Sequence, residues 1–89
     1  MLHAEHIRAA RALLNWRQED LSQASGVALA TIYRIEKTNG PVMGNVSTVM
    51  RLQHALEQAG VVLLQDADGI GLRLTGRKQK VPKNRGPKA

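Results

Sequence analysis

Gln18-Glu19-Asp20-Leu21-Ser22-Gln23-Ala24-Ser25-Gly26-Val27-Ala28-Leu29-Ala30-Thr31-Ile32-Tyr33-Arg34-Ile35-Glu36 is the stretch whose reading decides the fold. Gln18 to Ala24 reads as a short helix with Leu21 and Ala24 turned inward. Glu19 and Asp20 occupy its first turn, where the helix dipole favours negative charge. Gly26 then punctuates the chain as a residue permitted positive φ in a sharp turn. A second helix follows from Leu29 to about Lys37. At 100° per residue it places Thr31, Ile32 and Ile35 on one side and Leu29, Ala30, Tyr33, Arg34 and Lys37 on the other. The crossing of the two helices needs a small residue, for which Ser22 or Ala24 serves.

Upstream, Ile7, Ala10 and Leu14 recur at helical spacing, with Leu13 widening the stripe, so His3 to Leu14 is a helix. Asn15 tolerates the left-handed conformation that often follows a helix, and Trp16 offers an apolar body for the junction. Downstream, Thr38 to Gly44 is loop by composition. A fourth helix starts near Ser47 or Thr48, either of which could cap it, and carries Val49, Leu52, Leu56 and Ala59 up to Gly60. Val61 to Gln65, the turn Asp66-Ala67-Asp68-Gly69, and the alternation of Ile70, Leu72 and Leu74 with Gly71, Arg73 and Thr75 predict a β-hairpin. Helical continuation through Val61 to Leu64 is the competing reading.

Two short helices joined by a Gly-containing turn can set the second helix in the major groove of DNA. The residues Gln18-Glu19-Asp20-Leu21-Ser22, Gly26-Val27, Thr31-Ile32 and Ile35-Glu36 resemble the helix-turn-helix of the Cro and phage-repressor superfamily, the Xre family. Flanking segments from Ile7 to about Leu74 are similar to short bacterial regulators of that family. The basic flexible tail over 76–89 departs from the compact family pattern, and nothing is carried over to it. Over residues 1–75 the resemblance implies an all-α, lambda-repressor-like bundle of four main helices, here with the short C-terminal β-hairpin. It also implies that Gln18 contacts a DNA phosphate and that the outer face of the third helix enters the groove.

Leu29, Ala30, Tyr33 and Arg34 are then the base-facing candidates. Arg34 can pair with guanine through its fork, and Leu29 or Ala30 can meet a thymine methyl. Arg17 and Lys37 flank the unit and suit phosphates. The alternative for each is a solvated helix face. Family members often have Ser or Thr where Arg17 and Ala28 stand, so both helices are expected to lack a side-chain cap, each at a cost of ~1 kcal/mol. Leu29 replaces a polar residue common at its place, which shifts recognition toward apolar contact or DNA shape. In the resembling family a basic residue of the first helix pairs with the glutamate ending the third, which implies a partly buried Arg11–Glu36 pair. Trp16 is read as junction packing.

Composition narrows the remaining classes. Cysteine is absent, so disulfides and thiolate metal sites are out. No run approaches the ~20 apolar residues of a membrane span, and the first residues lack the pattern of a signal peptide. A cytoplasmic, nucleoid-associated protein is therefore expected. His3 and His6 could bind a metal but lack a third ligand and are read as surface side chains, and Asp66 to Gly69 lacks the rest of a calcium loop. With no nucleophile elbow or phosphate-cradling loop, catalytic readings are rejected and no cofactor is expected.

The net charge of +6 lies wholly beyond Thr75, because the basic and acidic residues before that point number seven each. Arg77, Lys78, Lys80, Lys83, Arg85 and Lys88 sit in a stretch too poor in apolar residues to order itself, so 76–89 is expected to be flexible in isolation. It could add phosphate contacts or merely solubilise. Val61 to Leu64 is apolar on both faces of its strand, and a lone hairpin is marginal in water. The fourth helix is expected to cover one face and a second copy the other, making a homodimer that reads a pseudo-palindromic site as a repressor. An antitoxin-type module that binds a toxin through the hairpin or fourth helix, and autoregulates through DNA, is the alternative. The hairpin is the one segment expected to carry a large unexplained apolar surface.

Overall fold

The computed structural model describes residues 1–75; the basic segment 76–89, with its expected flexibility, lies outside the described residues. Four helices, α1 (Ala4–Leu14), α2 (Gln18–Ser25), α3 (Leu29–Glu36) and α4 (Val46–Gln58), precede strands β1 (Val61–Asp66) and β2 (Gly69–Leu74). The strands pair antiparallel from Val61 opposite Leu74 to Asp66 opposite Gly69, so the hairpin reading holds over helical continuation. The sheet makes "all-α" too narrow a label, although the fold is mostly helical.

Each helix contributes its periodic stripe to one core. Ile7, Ala10 and Leu14 of α1, Leu21 of α2, Ile32 and Ile35 of α3, and Leu52, Ala55 and Leu56 of α4 are buried together with Trp16, Val27 and Val42. Two expected inward positions are not: Leu13 remains 48% exposed and Ala24 is exposed. Leu13 instead lines the open groove between α1 and β2, which leaves it partly in solvent. Ser22 does stand at the α2–α3 junction, where its hydroxyl donates to the Val27 carbonyl at 2.6 Å. Gly26 (φ 75°) closes α2, its amide donating to the Ser22 carbonyl at 2.9 Å. Asn15 (φ 57°) likewise turns the chain left-handedly after α1, as its short polar side chain allows.

The helix starts differ in how they are held. At α1 and α2 the third helical residue reaches back to the amide that precedes the helix: His6 Nδ1 accepts from His3 N at 3.0 Å, and Asp20 Oδ2 accepts from Arg17 N at 2.8 Å. Arg17 gives α2 no side-chain cap, as expected, and the Asp20 bond is the half of a capping box that survives the loss of Ser or Thr at 17. Ala28 gives α3 no side-chain cap, as expected. At α4 the cap is Asn45, whose Oδ1 accepts from Ser47 N at 2.8 Å and Thr48 N at 3.4 Å; the two expected caps are thus the residues capped.

Val61, Leu63, Leu72 and Leu74 form the hairpin face that packs on the core, β1 against α4 and β2 against α1. Both helices therefore cover the inner face, where α4 alone was expected. Leu64 on the other face is 44% exposed. Gly60 (φ 103°) makes the tight passage from α4 into β1, and a Cβ there would lie 3.1 Å from Thr75 Oγ1. His6 is almost fully buried rather than on the surface, and its Nε2 lies 3.1 Å from the Leu64 carbonyl oxygen. Since Nδ1 accepts, Nε2 carries the proton and donates, and the ring is spent as a structural link. Among the described residues no group of three or more His, Asp or Glu is placed to hold a metal. None of the described helices is long and apolar enough to cross a membrane.

Candidate nucleic-acid interface

Helix α3 is eight residues of Leu-Ala-Thr-Ile-Tyr-Arg-Ile-Glu, and its two faces separate by chemistry. Ile32 and Ile35 are buried with Glu36, while Ala30, Tyr33, Arg34 and, just beyond, Lys37 are exposed. Tyr33 keeps 41% of its surface in solvent. Leu29 is half-buried, so less of it is presented than of the other three base-facing candidates. The exposed set supplies a methyl, a phenol and two cations within two turns, the kinds of group that read base edges and phosphates.

Glu36 fastens this helix from below. Its Oε2 accepts from Arg11 Nε and its Oε1 from Arg11 Nη2, both at 2.7 Å, a fork-to-fork pair. The Glu36 side chain is 6% exposed and that of Arg11 22%, so the expected partly buried pair is present. Gln18, expected at a phosphate, is half-buried and donates from Nε2 to Glu36 Oε1 at 3.2 Å. Arg17 is exposed and reaches Asp20 Oδ1 only at 3.7 Å, a pairing too solvated to hold it away from another anion. Trp16 is buried at the α1–α2 junction, as its packing role requires; its carbonyl accepts from Arg11 Nη1 at 3.1 Å.

Exposed apolar side chains also gather in the loop after α3 and at the start of α4, where none was expected from the sequence. Met43, Val46 and Met50 are 84%, 71% and 65% exposed, and Met43 shares a shallow cleft with Arg34. Val46 and Met50 stand one turn apart on α4, out of phase with Val49, Leu52 and Leu56, and that phase offset was the available signal. A second apolar surface surrounds an open groove of about 560 Å³ between α1 and β2, lined by Leu13, Ile70 and Leu72 among others. The hairpin is therefore not the sole carrier of unexplained apolar area.

The helix-turn-helix family model matches residues 7–40, which run from within α1 through α3 and the turn beyond. That segment is similar to the helix-turn-helix of Cro and C1-repressor type, consistent with an Xre-family regulator. Helix α4 and the hairpin lie outside the match, which is shorter than the resemblance from Ile7 to Leu74. No curated protein matches the chain.

Proposed function

We propose that this chain is a sequence-specific transcriptional regulator whose α3 enters the major groove of double-stranded DNA. Ala30, Tyr33 and Arg34 meet base edges, with Leu29 at the rim of the contact, and Arg17, Gln18 and Lys37 meet phosphates. The observation that carries this reading is the division of α3: buried Ile32, Ile35 and Glu36 anchor one side while Tyr33, Arg34 and Lys37 face solvent on the other. The Glu36 contact restricts the Gln18 amide, which suits a positioning contact.

Two copies acting together would read a pseudo-palindrome with half-sites about one helical turn, ~34 Å, apart, and would repress by excluding polymerase. Support for pairing comes from Leu64 and Ile70 on a two-stranded sheet with open edges and from Leu13 of α1 beside it, each 39% exposed or more. The groove between α1 and β2 also suits a toxin-like protein partner, the second reading; a second polypeptide co-purifying with the chain would favour it.

Selection of bound sites from random duplexes tests the proposal directly. The wild-type chain should enrich one symmetric motif, and Tyr33→Ala with Arg34→Ala should abolish the enrichment in a chain whose circular dichroism is unchanged. Equal enrichment by that double variant would refute the assignment of the groove-reading face.

A further inference from the structure

The end of α3 is closed locally at Ile35, whose carbonyl accepts from Thr38 N at 3.0 Å and from Thr38 Oγ1 at 2.6 Å. A guanidinium from another helix serves the next carbonyl, that of Glu36. Arg8 Nη1 donates to the Glu36 carbonyl and to the Thr38 carbonyl, both at 2.8 Å, and Arg8 Nη2 donates to Asn39 Oδ1 at 3.0 Å. The residues around Arg8 hold the next part of the same loop. Glu5 Oε1 accepts from Gly40 N at 2.9 Å, Ala4 N donates to the Gly40 carbonyl at 2.9 Å, and Val42 N donates to the Leu2 carbonyl at 2.9 Å. The start of α1 thus grips the chain from the end of α3 to Val42. The last turn of α3 carries Arg34, and Lys37 follows it directly.

We propose that Arg8 is a specificity-determining positioning residue: its planar three-way grip on Glu36, Thr38 and Asn39 sets the end of α3 and so the angle at which Arg34 meets the bases. The inference rests on the DNA reading given above. Both hydrogens of Nη1 and one of Nη2 are bonded to these three oxygens, so those donors are spent within the protein rather than on phosphate. A change in the Arg34 approach alters the preference among base pairs more than the attraction to the backbone, because phosphate contacts carry little sequence information.

The test compares wild type with Arg8→Gln, Arg8→Lys and Asn39→Ala, using the selected duplex and a scrambled duplex of the same composition. Arg8→Gln should lower the ratio of the two affinities about tenfold, the scale of one misread base pair. Its slope of log affinity against log salt should change by less than the ~0.9 of one phosphate contact. Arg8→Lys keeps the charge but not the fork and should leave the ratio low. Asn39→Ala removes one arm of the grip from an exposed position and should shift the ratio in the same direction by less. Where Arg8→Gln does not fold, Asn39→Ala decides alone. An unchanged ratio in the folded variants, full rescue by lysine, or a slope reduced by about 0.9 at constant ratio would each overturn the positioning role. A wild-type chain that prefers no duplex would overturn the DNA reading itself and this role with it.

Discussion

Burying the Glu36 carboxylate is unfavourable unless its oxygens are bonded, and Arg11 with Gln18 supplies the donors. Arg11→Met leaves that charge stranded and should cost roughly 3 kcal/mol in urea unfolding, whereas Arg11→Met with Glu36→Met should cost much less. Absence of coupling in that cycle would count against the pair as a stabilising unit. Glu5 gives a pH-dependent counterpart. The Gly40 N–H donating to its carboxylate is the main cause that holds its carboxyl below the ordinary value of 4.5, with the nearby Arg8 charge adding to it. A carboxyl depressed on folding contributes fully above its unfolded value, and the contribution is lost as pH falls through the lower folded value. The stability difference between wild type and Glu5→Gln should therefore be constant near neutrality and shrink in acid below that range. The Arg11–Glu36 pair was legible from residue types matched by position to a known family. The roles of His6 and Arg8 were not, because their partners lie 58 and 28 to 31 residues away and include main-chain oxygens that no side-chain pattern reveals.

Helices announced themselves where apolar spacing and turn chemistry agreed. Ile7, Ala10 and Leu14 in α1 and Ile32 and Ile35 in α3 face the core as their period requires, and Gly26 and Asn15 turn the chain where expected. The start of α4 was misplaced because Asn45 follows Gly44 in a stretch with loop composition, and a capping Asn is itself a loop residue by type. Ala24 was misassigned because alanine fits either face of a short helix. Local ends should respond to substitution accordingly. Asn45→Ala removes the acceptor for two amides and should cost about 1 kcal/mol, while Ala28→Ser adds the acceptor α3 lacks and should stabilise by a similar amount. Urea midpoints of the two single variants check both signs.

At the scale of the whole molecule, apolar side chains are uncovered among the described residues at Met43, Val46 and Met50 and around the α1–β2 groove. If two chains pair through the hairpin, Leu64→Asp should reduce the sedimenting mass to that of one chain while leaving the helical circular dichroism intact; an unchanged mass would separate pairing from this surface. The strand face was legible as apolar on both sides, but what sits against it was not, since sequence alone does not show which helix crosses which strand. His6 carries a consequence for the boundaries of the folding unit. One imidazole finishes the first turn of α1 through Nδ1 and holds the β1 carbonyl at Leu64 through Nε2. The helix that opens the DNA-binding segment is thereby completed by backbone more than fifty residues downstream, so a fragment cut after Gly60 would enter solution with its leading turn frayed and an imidazole stripped of its strand-side acceptor. Hairpin and leading helix should melt as a single cooperative block.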